Sequence, residues 1–86
     1  MFKKNEEVIV FPIKNGIYLH NVDLDEFYTL EEGVATYIWS QIGDEKSVDS
    51  IIDEICLITR EDRNVVTNDV NEFINELLKH QMIMKI

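Results

Sequence analysis

Glu26–Ile42 reads EFYTLEEGVATYIWSQI and joins two kinds of pattern. Phe27, Tyr28 and Thr29 are strand-type residues. They run directly into an amphipathic segment carrying Val34, Tyr37, Ile38 and Ile42 around the only tryptophan, Trp39. Residues before this junction have the pattern of strands and turns. Residues after it have the pattern of helices. The junction therefore divides a β half from an α half.

Toward the N-terminus, Val8-Ile9-Val10-Phe11 is a short apolar run that ends at Pro12, which cannot donate to a ladder, so a strand is expected to stop there. Lys14-Asn15-Gly16 places Asn-Gly between two β-rich runs, a strong hairpin signal. Ile17-Tyr18-Leu19-His20 is the return strand, Asn21 to Asp25 a turn, and Glu26 to Leu30 the third strand. Met1 to Glu7 is polar and expected to fray.

Toward the C-terminus, the first helix is expected over about Glu31 to Ile42, with Gly33 in its first turn and Gly43 as a stop. Ser47 opens the second helix as N-cap. Its buried stripe is expected to take Val48, Ile51, Ile52, Ile55, Leu57 and Ile58. Arg60 to Asn64 is a charged turn. A third helix, from about Thr67 to His80, holds Val70, Phe73, Ile74, Leu77 and Leu78 at helical spacing. Met82 to Ile86 alternates and suits a short last strand. The order is β-β-β-α-α-α: one α+β domain over residues 1–86, with a three-stranded antiparallel sheet (strands about 8–30) followed by a three-helix winged helix-turn-helix bundle (helices about 31–80).

The 86 residues carry 45% apolar and 29% charged side chains, an ordinary globular composition. A chain this short buries only about 60–65% of its unfolded surface, which leaves little core for a deep active site. No apolar run approaches the ~20 residues of a membrane span, and two glutamates stand where a signal peptide needs apolar residues. A cytosolic protein is expected. The net charge is −9, of which −2 falls on residues 1–30 and −7 on residues 31–86. An acidic helical half argues against nucleic acid and against an anionic membrane, because both are bound through Lys and Arg. A winged-helix DNA regulator fails on this ground: Asp69, Glu72 and Glu76 face Lys79 as the only basic residue of the expected recognition helix.

The sequence offers little for catalysis. Cys56 is single and lies in an apolar run, as a buried thiol does. His20 and His80 have no ligand spacing. Phosphate-binding and nucleophile-elbow glycine patterns are absent. No enzyme, metal or cofactor is expected. The open edge of the meander remains. A strand with neither proline nor lysine to blunt it can accept a further strand. Alternation puts Tyr28 and Leu30 on one face and Phe27 and Thr29 on the other, one pair meeting the helices.

From Phe27 to Ile83 the pattern resembles a known family. The residues that carry it are Phe27-Tyr28-Thr29-Leu30, Gly33-Val34-Ala35-Thr36-Tyr37-Ile38-Trp39, Ser47-Val48-Asp49-Ser50-Ile51 and Asp69-Val70-Asn71-Glu72-Phe73-Ile74-Asn75-Glu76-Leu77, before an apolar terminal strand. They resemble the PqqD-like family, the D protein of pyrroloquinoline-quinone biosynthesis, whose fold is the recognition element for precursors of ribosomally made, post-translationally modified peptides. Gln81 stands where the family usually has glycine, and Glu31 where it usually has asparagine. The resemblance implies a non-catalytic protein that captures a precursor's leader peptide by strand addition and presents it to a maturation enzyme, such as a radical-SAM protein, a protease or a cyclase. The implied peptide-binding residues are Glu26, Phe27, Tyr28, Thr29 and Leu30 on the strand. On the third helix they are Val66, Asp69, Val70, Phe73, Ile74, Glu76 and Leu77. Apolar leader anchors are expected between Phe27 or Thr29 and the helix, with Asp69, Glu72 and Glu76 available to a leader Lys or Arg. Two alternatives stay open: a general interaction module, and a homodimer paired along the same edge.

Overall fold

The computed structural model describes residues 2–43 and 46–86. Five strands and three helices come in the order β1 (Phe2–Lys4), β2 (Val8–Ile13), β3 (Gly16–Asn21), β4 (Glu26–Glu31), α1 (Val34–Gln41), α2 (Val48–Thr59), α3 (Arg63–Lys79) and β5 (Ile83–Lys85). β2, β3 and β4 form the antiparallel meander with β3 in the middle, and β1 pairs with β5 in a separate two-stranded sheet. The β-half-then-α-half organisation is therefore present as expected.

The hairpin turns at Lys14-Asn15, where Gly16 takes φ +150° and passes so close to β4 that an added Cβ would stand 2.0 Å from the Leu30 carbonyl oxygen. Glycine is required there. Pro12 does not end β2: the strand runs on to Ile13, and Pro12 stands opposite Ile17. The reason is the ladder's phase. Val22 N–H donates to Glu7 C=O at 3.0 Å. Bonded and non-bonded pairs alternate in an antiparallel ladder, so Ile9, Phe11 and Ile13 bond to β3 while Pro12 turns its missing donor outward. Proline costs nothing at that position.

Two helix starts and the N-terminal segment differ from the sequence expectation, and each difference has a local cause. β4 continues to Glu31, and α1 begins only at Val34. Gly33 is its N-cap at φ 123°, and its N–H donates to Thr36 Oγ1 at 3.1 Å. α3 begins four residues before Thr67, at Arg63, because Asp62 caps it: Asp62 Oδ1 accepts from Asn64 N–H at 2.8 Å. The N-terminal segment does not fray over its described part, since Phe2–Lys4 pairs with Ile83–Lys85. Met1 lies outside the described residues. Ser47 caps α2 as expected, accepting from Ser50 N–H at 3.1 Å.

One core joins the sheet to all three helices. Leu19 and Leu30 enter from the sheet, Ile38, Trp39 and Ile42 from α1 and its end, and Ile51, Ile52 and Ile55 from α2. Val66, Val70, Ile74 and Leu77 enter from α3, and Met82 and Ile83 close the bottom. Leu57 and Ile58 do not join it. They are 79% and 70% exposed, since the α2 stripe is complete at Val48, Ile51, Ile52 and Ile55, and Leu57 falls on the far side. Cys56 is half-buried against the core.

Candidate peptide-binding site

β4 is an edge strand: β3 occupies one side and no strand occupies the other among the described residues. Its free groups can be named. Glu32 N–H donates to Asn15 C=O at 2.8 Å, at the hairpin end of the β3–β4 ladder. Counting back in alternation, Leu30, Tyr28 and Glu26 bond to β3, whereas Glu31, Thr29 and Phe27 turn their N–H and C=O toward the open side. The other edge of the sheet, β2, is blunted by Pro12. The meander therefore has one edge fit for strand addition, and it is the strand singled out by sequence.

The two faces of β4 are also fixed. Leu30 is buried and Tyr28 half-buried on the helix side. Phe27 and Thr29 are exposed on the opposite side, where Phe27 stacks on His20 and Tyr18. Anchors between Phe27 or Thr29 and α3, as the sequence suggested, are geometrically impossible, because those two side chains point away from the helices. Glu26, Tyr28 and Leu30 are the strand residues on the helix side.

β4 meets α3 at one end. His80, just beyond α3, places Nδ1 2.8 Å from Glu26 Oε2 and Nε2 3.5 Å from Glu76 Oε2, with its ring 5.6 Å from that of Tyr28. Burial, and secondarily the Glu76 carboxylate, push the Tyr28 phenol above the usual tyrosine range, so it is a neutral donor at ordinary pH. Asn21 ties the same corner together. Its Nδ2 donates to the carbonyls of Gln81 (3.0 Å) and His80 (3.4 Å), and its Oδ1 accepts from Leu24 N–H at 3.2 Å.

Toward the N-terminal end of α3 an open, mostly apolar cleft of about 380 Å³ lies between the helices. Its walls are Val34, Ala35 and Ile38 of α1, Ile55 and Thr59 of α2, Glu61, and Val66, Asp69, Val70 and Phe73 of α3. A smaller apolar recess of about 260 Å³ adjoins it through Val34, Ile55 and Thr59. Val66, Asp69, Val70 and Phe73 of the twelve sequence candidates thus line one cleft. Glu26, Tyr28 and Glu76 gather around His80. Leu30, Ile74 and Leu77 are buried in the core. Phe27 and Thr29 lie on the outer face.

Sequence reasoning missed the α1 and α2 walls, for which adjacency along the chain gives no signal. It also missed His80, although its position four residues after Glu76 was a readable helix pairing. The cleft suits apolar side chains with an acidic rim at Glu61 and Asp69. Among the described residues no group of His, Cys, Asp or Glu is placed to hold a metal ion, and no helix is long and apolar enough to cross a membrane.

Known proteins share this architecture. The chain superposes on a structure described as TbiB1 in complex with the TbiA(beta) leader peptide, with a TM-score of 0.84 and 24% identity over 98% of this chain and 96% of that one. It superposes equally fully on lasso peptide synthetase B1 complexed with the leader peptide, with a TM-score of 0.80 and 20% identity over 98% of both chains. At these identities the likeness establishes the fold. No curated protein sequence matches the chain. The model of the family described as coenzyme PQQ synthesis protein D matches residues 7–83, nearly the whole chain from the first strand of the meander to the start of β5, and the protein belongs to the PqqD family.

Proposed function

We propose that this protein binds the leader segment of a ribosomally made precursor peptide by strand addition to β4 and presents the precursor to a separate modifying enzyme. The observation that carries the reading is the unblunted β4 edge, with its outward N–H and C=O groups at Phe27, Thr29 and Glu31, on the same domain as an open apolar cleft. The two similar structures were both captured with leader peptides, which supports the same occupant here.

Residues directly opposite across a ladder share a face, so guest residues paired with Tyr28 and Leu30 send their side chains to the helix side. Backbone pairing supplies affinity, and the cleft, where Val34 and Phe73 are the accessible apolar side chains over buried Val66 and Val70, supplies selection among apolar anchors. Asp69 and Glu61 at the rim favour a leader carrying Lys or Arg. Exposed pairs of this kind are worth about 0–1 kcal/mol each, so they act on encounter and selectivity more than on affinity. The role is that of an adaptor rather than a catalyst, and the partner enzyme carries the chemistry.

Thr29→Pro tests the reading. The Thr29 N–H points to the open side, so proline there removes no bond to β3, just as Pro12 removes none on the opposite edge. The variant should keep its circular dichroism and melting temperature yet bind a synthetic precursor leader peptide at least about tenfold more weakly, through a lost hydrogen bond and a ring in the guest's path. A correctly folded Thr29→Pro variant with undiminished affinity contradicts strand addition.

A further inference from the structure

The outer face of the meander departs from the usual pattern. One face of an antiparallel sheet normally packs on the core while the other is polar and solvated. Here the face away from the helices carries Ile9, Phe11 and Ile13 from β2 and Phe27 from β4, each close to half exposed. Around Phe27 this surface is built rather than incidental. The Phe27 ring lies nearly parallel to the His20 imidazole, 4.2 Å between centroids and 7° between planes, and 5.3 Å from the Tyr18 ring at 25°. His20 is itself held by Asp25, whose Oδ1 is 3.0 Å from Nε2.

Both His20 and Tyr18 belong to β3, the inner neighbour. Parallel stacking across the strands means that one face of the Phe27 ring is covered from the β3 side, and the other looks out over the open edge. Phe27 is 49% exposed. Its backbone N–H and C=O also point to that edge. One residue of a strand added antiparallel is therefore fixed directly opposite Phe27 by two main-chain bonds, and its side chain is delivered onto the free face of the ring.

We propose that Phe27 is a second, outward-facing anchor site: it takes an aromatic side chain from the guest residue paired directly with it, so that the guest strand is read on both faces. This rests on the strand-addition reading above and deepens it. The cleft selects residues sent to the helix side, and the Phe27–His20–Tyr18 column selects one residue of the opposite parity. Aromatic character is favoured because the platform is a flat, pre-positioned ring whose rotamer is already restrained by two neighbours, so little ordering is left for the guest to impose. Offset or edge-to-face ring contact then adds to simple burial. A guest that satisfies only the cleft would be held on one face alone. The same column also gives register, because a shift by one residue exchanges the inward and outward side chains of the whole guest.

The test is a double-mutant cycle on the full chain. The probe is the synthetic leader and its alanine variants at each position in turn, measured against the wild type and against Phe27→Leu, which keeps an apolar side chain on the strand. Amide hydrogen exchange at Thr29 and Glu31 is followed in parallel as an independent report of strand addition. The expected result is coupling of about three- to tenfold between Phe27 and a single aromatic leader position. Coupling should be absent for the positions on either side of it, which face the helices. Replacing that aromatic by leucine should lose part of the gain, and by alanine all of it. Protection of Thr29 and Glu31 without coupling to Phe27 at any position overturns the outer anchor and leaves strand addition standing. Binding without protection of Thr29 and Glu31 overturns both.

Discussion

Asn21 is the buried polar residue on which the site's geometry turns. It is fully buried, and each of the three hydrogen bonds of its side chain crosses a junction: two to the carbonyls just past the end of α3 and one to the turn before β4. By sequence it is one of several turn-forming residues, and nothing local tells it from Asp23 or Asp25. Its role depends on a partner some sixty residues away. Asn21→Ala should cost about 2 kcal/mol, since it strands buried groups rather than merely removing a bond, and should lower the melting temperature accordingly. An unchanged melting temperature would show that the corner is held elsewhere.

A second residue-scale consequence concerns pH. Glu54 accepts from the Tyr37 hydroxyl and pairs with Lys46 Nζ at 3.0 Å. The Tyr37 bond first, then Lys46, hold the Glu54 carboxyl below its ordinary range, and the same bond holds the Tyr37 phenol above its own. A carboxyl depressed in the folded state contributes stability above its unfolded pKa, and that contribution is lost as pH falls through the depressed value. Glu54→Gln should therefore be less stable than the wild type at neutral pH, with the difference vanishing under acid conditions. Thermal melts across that range measure it; a gap that persists in acid contradicts the assignment. The sequence carries no local sign of the Tyr37–Glu54 contact, because α1 and α2 are brought together only by their shared apolar faces.

Among the elements, strand and helix identities were readable and their ends were not, for reasons visible at the caps. Acidic Glu31 and Glu32 suggested a helix start, but the β3–β4 ladder extends through Glu31 and delays α1 until Gly33 can turn the chain. Asp62 sat in what reads as a charged turn, yet its side chain caps α3 and adds a turn to the helix. Asp62→Ala should cost about 1 kcal/mol, seen as a lower urea midpoint with an unchanged slope. No change would mean that the first turn of α3 is held by packing alone. Pro12 is the complementary case. It reads as a strand terminator, and it is in fact the device that closes one edge of the sheet while leaving the strand intact. The pairing of β1 with β5 was invisible locally because both strands are three residues long and lie at opposite ends of the chain.

At the scale of the molecule, the division into a β half and an α half, the open edge and the family were all legible from Glu26–Ile42 and the apolar spacing C-terminal to it. The direction each side chain takes was not. Strand alternation paired Tyr28 with Leu30 and Phe27 with Thr29 correctly, but only the packed fold reveals that the first pair meets the helices. That distinction relocates the expected anchors. Residues of the guest opposite Tyr28 and Leu30 face the helix side, while those opposite Phe27 and Thr29 lie on the outer surface. It also marks which main-chain groups are free. Strand addition to β4 is therefore open to amide hydrogen exchange on the free protein and on the protein saturated with the synthetic leader. New protection is expected at Phe27, Thr29 and Glu31, with Tyr28 and Leu30, already bonded to β3, little changed. Saturable binding that leaves the exchange of Phe27, Thr29 and Glu31 unaltered would contradict it.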